Sequence, residues 1–121
     1  MDNIDIQRAI ENKISLLEKM RTQLQNRAET KAKTSSDYDK AIAICILKLK
    51  NGQLMELDGE KIQDPATTII EKIAKGICWK EKLEMEKGEQ LYKALTSSIE
   101  CVKSELNGLQ SIFKVSRDLM R

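Results

Sequence analysis

Heptad spacing of apolar residues over the first fifty positions constrains the fold of this chain more than any other feature. Steps of seven from Ile10 lead to Cys45, and no glycine or proline interrupts residues 4–50. Such a sustained repeat places its members on one face of a helix and is typical of a coiled coil. We therefore predict a long helix over residues 1–50. Its seam consists of Ile10, Leu17, Leu24, Lys31, Tyr38 and Cys45, together with Ile14, Arg21, Ala28, Ser35, Ile42 and Leu49.

The middle of this segment is polar and leaves two interpretations of the helix. The sequence Thr34-Ser35-Ser36-Asp37 has poor helix propensity, and Ser36 is able to cap a new helix. A helix of nearly fifty residues also measures about 70 Å, which is longer than a compact domain of this size. The heptad register survives across the gap, however, and this favours one continuous helix.

Turn-forming residues mark residues 51–64 as the connection that follows. Asn51-Gly52 fits a helix C-cap or a tight turn, and Asp58-Gly59 marks a second turn. A loop is the first interpretation. The alternative is a small β-hairpin that pairs Leu47–Lys50 with Gln53–Leu57.

A short helix is predicted over residues 65–75. Asp64 fits its N-cap and Pro65 its first position, where the missing N–H costs nothing. Ile69, Ile70 and Ile73 lie on one face, and Gly76 ends or bends the helix.

A second long seam follows and predicts a helix over residues 77–121. Its apolar positions alternate by three and four residues up to the C-terminus. They are Tyr92, Leu95, Ile99, Val102, Leu106, Leu109, Phe113, Ser116 and Met120.

The predicted fold is therefore all-α: one domain, residues 1–121, built as an elongated helical hairpin of two coiled-coil-like helices joined by a loop and a short helix. The composition agrees, with 33% charged and only 3% aromatic residues. Two such helices bury little apolar surface between them. We therefore expect a homo-oligomer, for example a four-helix arrangement made from two chains.

The composition also excludes several kinds of active site. The chain has no histidine, so serine–histidine and cysteine–histidine nucleophilic sites and histidine zinc sites are impossible. Its five glycines are isolated and match no phosphate-binding loop. The sequence predicts no enzyme, no catalytic residue, no metal and no cofactor.

The three cysteines, Cys45, Cys78 and Cys101, have no CxxC spacing and are odd in number. Cys45 and Cys101 are predicted to lie on apolar helix faces as buried, poorly reactive thiols. Three cysteines without a disulfide pattern predict a reducing, cytoplasmic environment. The polar N-terminus does not resemble a secretory signal, and the longest apolar run, Ala41–Leu47, predicts no membrane span.

Basic residues form a candidate nucleic-acid-binding surface. The net charge is only +2, so their positions matter more than their number. A solvated helix face is the simpler interpretation, and a row of phosphate contacts is the alternative. The candidates are Lys19, Arg21, Arg27, Lys31 and Lys33, with Lys114, Arg117 and Arg121 near the C-terminus.

Trp79 is the single tryptophan and is flanked by lysines on the C-terminal side. One interpretation makes it a packing anchor at the junction of the short and long helices. The other makes it an interface residue or a stacking platform.

The stretch from Pro65 to Phe113 resembles small all-helical accessory proteins encoded in phage and prophage replication or recombination regions. The matching segments include Glu89–Lys93 (EQLYK) and Asn107–Lys114 (NGLQSIFK). The helical plan is also loosely similar to the recombination mediator of T-even phages. The resemblance implies an oligomeric, non-enzymatic phage or viral protein that binds single-stranded DNA or a nucleoprotein.

Two functional hypotheses follow. The first is an accessory that binds single-stranded nucleic acid or a nucleoprotein partner through the basic residues. The second is a protein–protein inhibitor or adaptor with a host or phage protein partner, for example a phage-encoded inhibitor of a host defence nuclease such as an anti-CRISPR. The two hypotheses differ in salt dependence, since phosphate contacts weaken steeply with ionic strength.

Neutralising Arg27, Lys31 and Lys33 together is expected to weaken nucleic-acid binding regardless of base sequence. The salt slope should fall by about 0.7 for each lost contact to a single strand. Stability should change little, because exposed charges contribute little to folding. Gel shifts at two salt concentrations measure the effect, and equal binding by parent and variant would contradict the first hypothesis.

Overall fold

The computed structural model describes residues 2–120 and is mostly helical. Two long helices pack against each other, which confirms this coarse part of the predicted fold. The elements are α1 (Asn3–Lys50), β1 (Met55–Leu57), β2 (Glu60–Ile62), a 3-10 turn (Thr67–Ile69), α2 (Ile70–Ile77) and α3 (Trp79–Leu119). The described chain divides into two compact units: a terminal unit (residues 2–28 and 91–120) and a central unit (residues 29–90).

Helix α1 is continuous through the polar stretch at Thr34. The Thr34 hydroxyl donates hydrogen bonds to the carbonyls of Thr30, at 2.9 Å, and Lys31, at 3.2 Å. Thr34 therefore bonds to its own helix, and Ser36, the candidate cap of a new helix, lies inside α1. At the N-terminus of α1, Asp2 accepts a hydrogen bond from the backbone N–H of Asp5 at 2.8 Å and caps the helix.

The end of α1 is fixed by a Schellman motif. Gly52 adopts φ 75°. Its N–H donates to the carbonyl of Leu49 at 3.2 Å, and the N–H of Gln53 donates to that of Lys48 at 3.0 Å. Glycine suits this position because it has no Cβ to clash in the left-handed conformation.

A two-stranded antiparallel hairpin follows, so the fold is not purely α-helical. It pairs Met55 with Ile62 and Leu57 with Glu60, rather than the segments that the sequence suggested. The turn is Asp58-Gly59, whose φ values are 49° and 83°. Positive φ at both central residues is the backbone that a tight hairpin requires.

The prediction that Asp64 caps a helix starting at Pro65 is wrong. Asp64 has φ 49°, whereas an N-cap residue has an extended backbone. A Cβ built on Gly52 would lie 2.9 Å from Asp64 Oδ1, so this carboxylate packs at the end of α1. Gln63 Nε2 also donates to the Gly52 carbonyl, at 3.2 Å. Helical structure starts only at Thr67, and Gly76 lies inside α2 instead of ending it.

The central unit contains the larger apolar cluster. Helix α2 packs on the C-terminal end of α1, and Ala74 is fully buried there. Gly76 approaches the hairpin, since a Cβ built on it would lie 3.1 Å from Leu57 Cδ2. The buried members of the cluster are Tyr38, Cys45, Leu49, Ile70, Ala74 and Cys78.

Helices α1 and α3 also approach closely within the central unit at Gly88. A Cβ built on this residue would lie 3.0 Å from Thr34 Oγ1 and 3.6 Å from Lys31 Cα. The polar middle of α1 therefore meets a residue with no side chain.

In the terminal unit α1 and α3 are antiparallel. Lys13 Nζ bonds to the Glu105 carboxylate, and the Ser116 hydroxyl donates to Asn3 Oδ1. Among the described residues of this unit, three hydrophobic side chains are buried: Ile6, Met20 and Val102.

The predicted seam of α1 is correct in one half and shifted in the other. Its heptad positions from Ile10 to Cys45 are at least half-buried. In the terminal unit, however, the intervening positions are Lys13 and Met20, whereas Ile14 and Arg21 are exposed. Neighbouring residues of a helix point about 100° apart. Lys13 and Met20 therefore face α3, while the next residues, Ile14 and Arg21, face solvent.

Leu49→Ala is expected to destabilise the protein by about 2–4 kcal/mol, since it leaves a cavity in the central cluster. Leu49 is 2% exposed, whereas Leu47 on the same helix is 61% exposed. Leu47→Ala is therefore the matched control and should cost less than about 1 kcal/mol. Urea unfolding followed by circular dichroism measures both values, and equal losses would contradict the described packing.

Candidate functional site

The basic residues of α1 do not share one face. Lys19, Arg21 and Arg27 are exposed in the terminal unit. Since successive helical residues turn by about 100°, Lys19 and Arg21 point about 160° apart, and Arg27 lies about 120° from Arg21. Arg21 is not buried in a seam; it lines a shallow groove with Leu17, Leu24, Ile99 and Lys103.

Lys31 and Lys33 belong to the central unit. Lys31 is half-buried, next to Gly88. Lys33 is exposed and forms an ion pair with Asp37 at 3.3 Å. Such an exposed pair one helical turn apart contributes little to stability and leaves Lys33 close to a carboxylate.

Lys114 and Arg117 are exposed at the other end of the terminal unit. The contacts of Lys13 with Glu105 and of Asn3 with Ser116 set the register of the two helices. In this register Lys114 lies level with residues 4–5 of α1, about 20 Å along the helix from Lys19. The structure therefore does not join these residues into one groove. Arg121 lies outside the described residues.

Trp79 lies on the surface, and its interpretation as a packing anchor is wrong. Its side chain is 54% exposed, and Leu83, one turn later, is equally exposed. The adjacent Cys78 occupies the buried position at the junction of α2 and α3. The next residue, Trp79, points in a different direction and faces solvent. Lys80 Nζ lies 5.5 Å from the centroid of the indole ring.

The surface around Trp79 is a shallow groove on α2 and α3 within the central unit. We call it the Trp79 surface. Its lining carries both signs of charge and two large apolar side chains, Trp79 and Leu83. It is lined by Lys75, Gly76, Trp79, Lys82, Leu83 and Glu86.

Leu83 and Glu86 are functional candidates that the sequence reasoning did not single out. The signal for Leu83 was its place four residues after Trp79, which puts both on one helical face. Of the residues chosen from the sequence, Trp79 is the one that lies in a groove with another large exposed apolar side chain.

The thiols differ from the prediction at one position. Cys45 and Cys78 are buried, whereas Cys101 is exposed. Cys101 precedes Val102, the buried residue of the seam, and is therefore turned away from α1. Burial raises the pKa of Cys78 to about 11, and the neighbouring Cys45 and Glu81 raise it too. Burial also raises the pKa of Cys45.

Residues 2–120 hold neither a metal-binding cluster nor a membrane-spanning helix. Within this range no cluster of three or more cysteine, aspartate or glutamate side chains has the arrangement of a metal site. None of the helices described there combines the length and apolar character of a membrane span.

Comparison of the chain with protein-family models, with curated proteins and with solved structures finds no match. The resemblance to phage accessory proteins therefore stays a prediction from the quoted segments.

A thiol reagent at mildly alkaline pH, applied to the protein at high dilution, is expected to modify Cys101 first. The reactive species is the thiolate, and a raised pKa lowers its fraction in Cys45 and Cys78. The two buried thiols should react readily only in denaturant. Mass spectrometry of the time course checks the order, and rapid labelling of Cys78 in the folded protein would contradict its burial.

Proposed function

We propose that this chain is a non-enzymatic helical binding protein whose partner is another protein, held at the Trp79 surface. The observation that supports the proposal is the pairing of an exposed tryptophan with an exposed leucine in one groove. An inhibitor or adaptor acts by such a surface alone, without reacting groups.

The exposed part of Trp79 offers binding energy that the fold does not use. Tryptophan buries up to about 250 Å² and is enriched among the residues that dominate interfaces. Leu83 adds a second exposed apolar side chain one turn further along α3. A groove of this kind fits an amphipathic helix that inserts apolar side chains.

The charges at the rim favour an acidic partner. Lys75 and Lys82 line the groove, Lys80 lies over the indole ring, and Glu86 is the carboxylate among the lining residues. Lys75 also pairs with Glu71 at 3.4 Å, an exposed contact that an incoming carboxylate is able to replace. We therefore expect apolar residues flanked by aspartate or glutamate in the partner.

Nucleic-acid binding is the second candidate, and one observation favours it. Residues 19–28 and 91–99 contain Lys19, Arg21, Arg27 and Lys93 but no acidic residue. Both segments belong to the terminal unit. Arg21 points away from Lys19 and Arg27, however, which are about 80° apart, so at most two of the three are able to follow one phosphate backbone.

Selection of short random peptides by display on the wild-type protein tests the proposal. Enriched peptides should be apolar and acidic. Trp79→Ala should weaken their binding about thirtyfold or more, a loss of roughly 2 kcal/mol. Leu83→Ala should weaken it less, and Leu47→Ala, which removes an exposed leucine elsewhere, should leave it unchanged.

The fluorescence of the single tryptophan measures binding by the wild type and by Leu83→Ala, whereas calorimetric titration measures it for Trp79→Ala, which has no tryptophan. Titration with a single-stranded oligonucleotide at low and high salt is the competing arm. Peptides that bind Trp79→Ala as tightly as the wild type would contradict the proposal. A salt-sensitive response to the oligonucleotide would favour the second candidate instead.

A further inference from the structure

The chain exposes more surface than a monomer of its mass normally does. Its accessible surface is 8909 Å². A folded monomer of 13.8 kDa exposes roughly 6,600 Å². The excess, roughly 2,300 Å², is larger than the roughly 800 Å² that each partner contributes to a standard protein interface.

Much of the unused apolar surface lies on α3 in the terminal unit. Ile112, Val115 and Leu119 are 54%, 60% and 82% exposed. They belong to a second heptad series, next to the one that faces α1. We call it the outer stripe. It alternates by three and four residues without a break and consists of Leu91, Ala94, Ser98, Cys101, Glu105, Gly108, Ile112, Val115 and Leu119, all exposed.

Charged residues avoid the outer stripe and its far flank, Gln90, Ser97, Ser104, Ser111 and Asp118. Residues 90–119 contain seven charged side chains, and only Glu105 and Asp118 lie in these positions. A helix face that meets only water needs no such depletion of charge. The other five lie on the remaining face of the helix: Lys93, Glu100, Lys103, Lys114 and Arg117.

The sizes of the side chains change halfway along the stripe. Between Ala94 and Cys101 they are small, and from Ile112 to Leu119 they are large. A parallel copy would place small residues against small ones and large against large. An antiparallel copy places Ile112, Val115 and Leu119 each against a small residue, so that the two helices are able to pack closely between residues 94 and 119.

We propose that the outer stripe binds a second copy of this chain in antiparallel orientation, with the twofold axis between Leu106 and Asn107. Such an isologous contact uses the same stripe on both chains. The pairs formed across it are Ala94 with Leu119, Ser98 with Val115, Cys101 with Ile112, and Glu105 with Gly108.

Glu105 is the charged member of the stripe, and its own chain neutralises it. Lys13 Nζ bonds to its carboxylate within the terminal unit. In the antiparallel register Glu105 lies opposite Gly108, where a Cβ would meet nothing within 4 Å. At the interface, Lys13 therefore balances the charge of Glu105, and the open space beside Gly108 of the other chain accommodates the pair.

The available area fits a weak, reversible dimer. The paired part of the stripe, residues 94–119, spans about 38 Å, and a helix about 10 Å wide buries roughly 400 Å² per chain along it. Leu16 lies one turn after Lys13 on the same side of α1, is 40% exposed and extends the surface. The pair thus buries roughly 900 Å², which is below the roughly 1,200 Å² of stable interfaces and in the range of weak, reversible ones.

Oxidative cross-linking tests the register. Ile112→Cys places a new thiol opposite Cys101 of the second copy. It should give covalent dimers in which Cys101 of one copy is bridged to the new thiol at position 112 of the other, as peptide mapping identifies. Gln110→Cys places a thiol on the other face and is the matched control; it should give few dimers. Cys45 and Cys78 are kept in both variants, because their thiols are buried.

The wild-type protein distinguishes the two orientations. In the antiparallel pair the two Cys101 residues lie about 16 Å apart along the axis, too far for a disulfide. A parallel pair would place them side by side. Rapid formation of a Cys101–Cys101 dimer by the wild type would therefore overturn the proposal, as would equal cross-linking of Gln110→Cys.

Gly108→Leu tests the interface without cross-linking. This side chain meets open space in the single chain, so helix content should be retained, while the Kd of the dimer in sedimentation equilibrium should rise about tenfold or more. Gln110→Leu adds the same side chain two residues away and should leave the Kd unchanged. A wild-type protein that sediments as a monomer at tens of micromolar, or a folded Gly108→Leu that dimerises normally, would overturn the proposal.

Discussion

The packing of α2 on the C-terminal end of α1 is the contact on which the central unit depends. Two helices alone enclose a narrow line of side chains, whereas a third element closes the cluster from another side. Ala74 is fully buried because its small side chain lets α2 approach α1. The Schellman motif at Gly52 and the hairpin after it return the chain to the correct place for this contact.

The helices were predictable from the sequence where a regular repeat of apolar residues was the only signal. A heptad repeat over fifty residues and the glycine after it specify the extent and the end of α1. The register of α1 against α3 in the terminal unit was harder to predict, because Lys13 and Ile14 both lie near the seam. The choice between them depends on how α3 packs. In the structure Lys13 has Glu105 as its partner, and this ion pair replaces the apolar contact that the pattern favoured.

Local signals also gave the wrong answer where a tertiary contact competes with them. Asp64 before Pro65 is a good helix start by local rules, yet its carboxylate packs near Gly52 instead. Trp79 and Cys78 are neighbours in the sequence, and only the fold decides which of them is buried. Similarly, the basic residues of α1 look like a cluster along the chain, although the rotation of a helix distributes them around its circumference.

The order of the segments has a consequence for synthesis of the protein. The terminal unit joins the first and the last parts of the chain, as the contact between Asn3 and Ser116 shows. Residues 6–24 therefore emerge from the ribosome long before the segment that covers them. At about 5–20 residues per second, the apolar face around Ile6 and Met20 waits roughly 5–20 seconds for its partner. During this interval the nascent helix is open to chaperones or to neighbouring chains, whereas the central unit is able to close as soon as residue 90 has emerged.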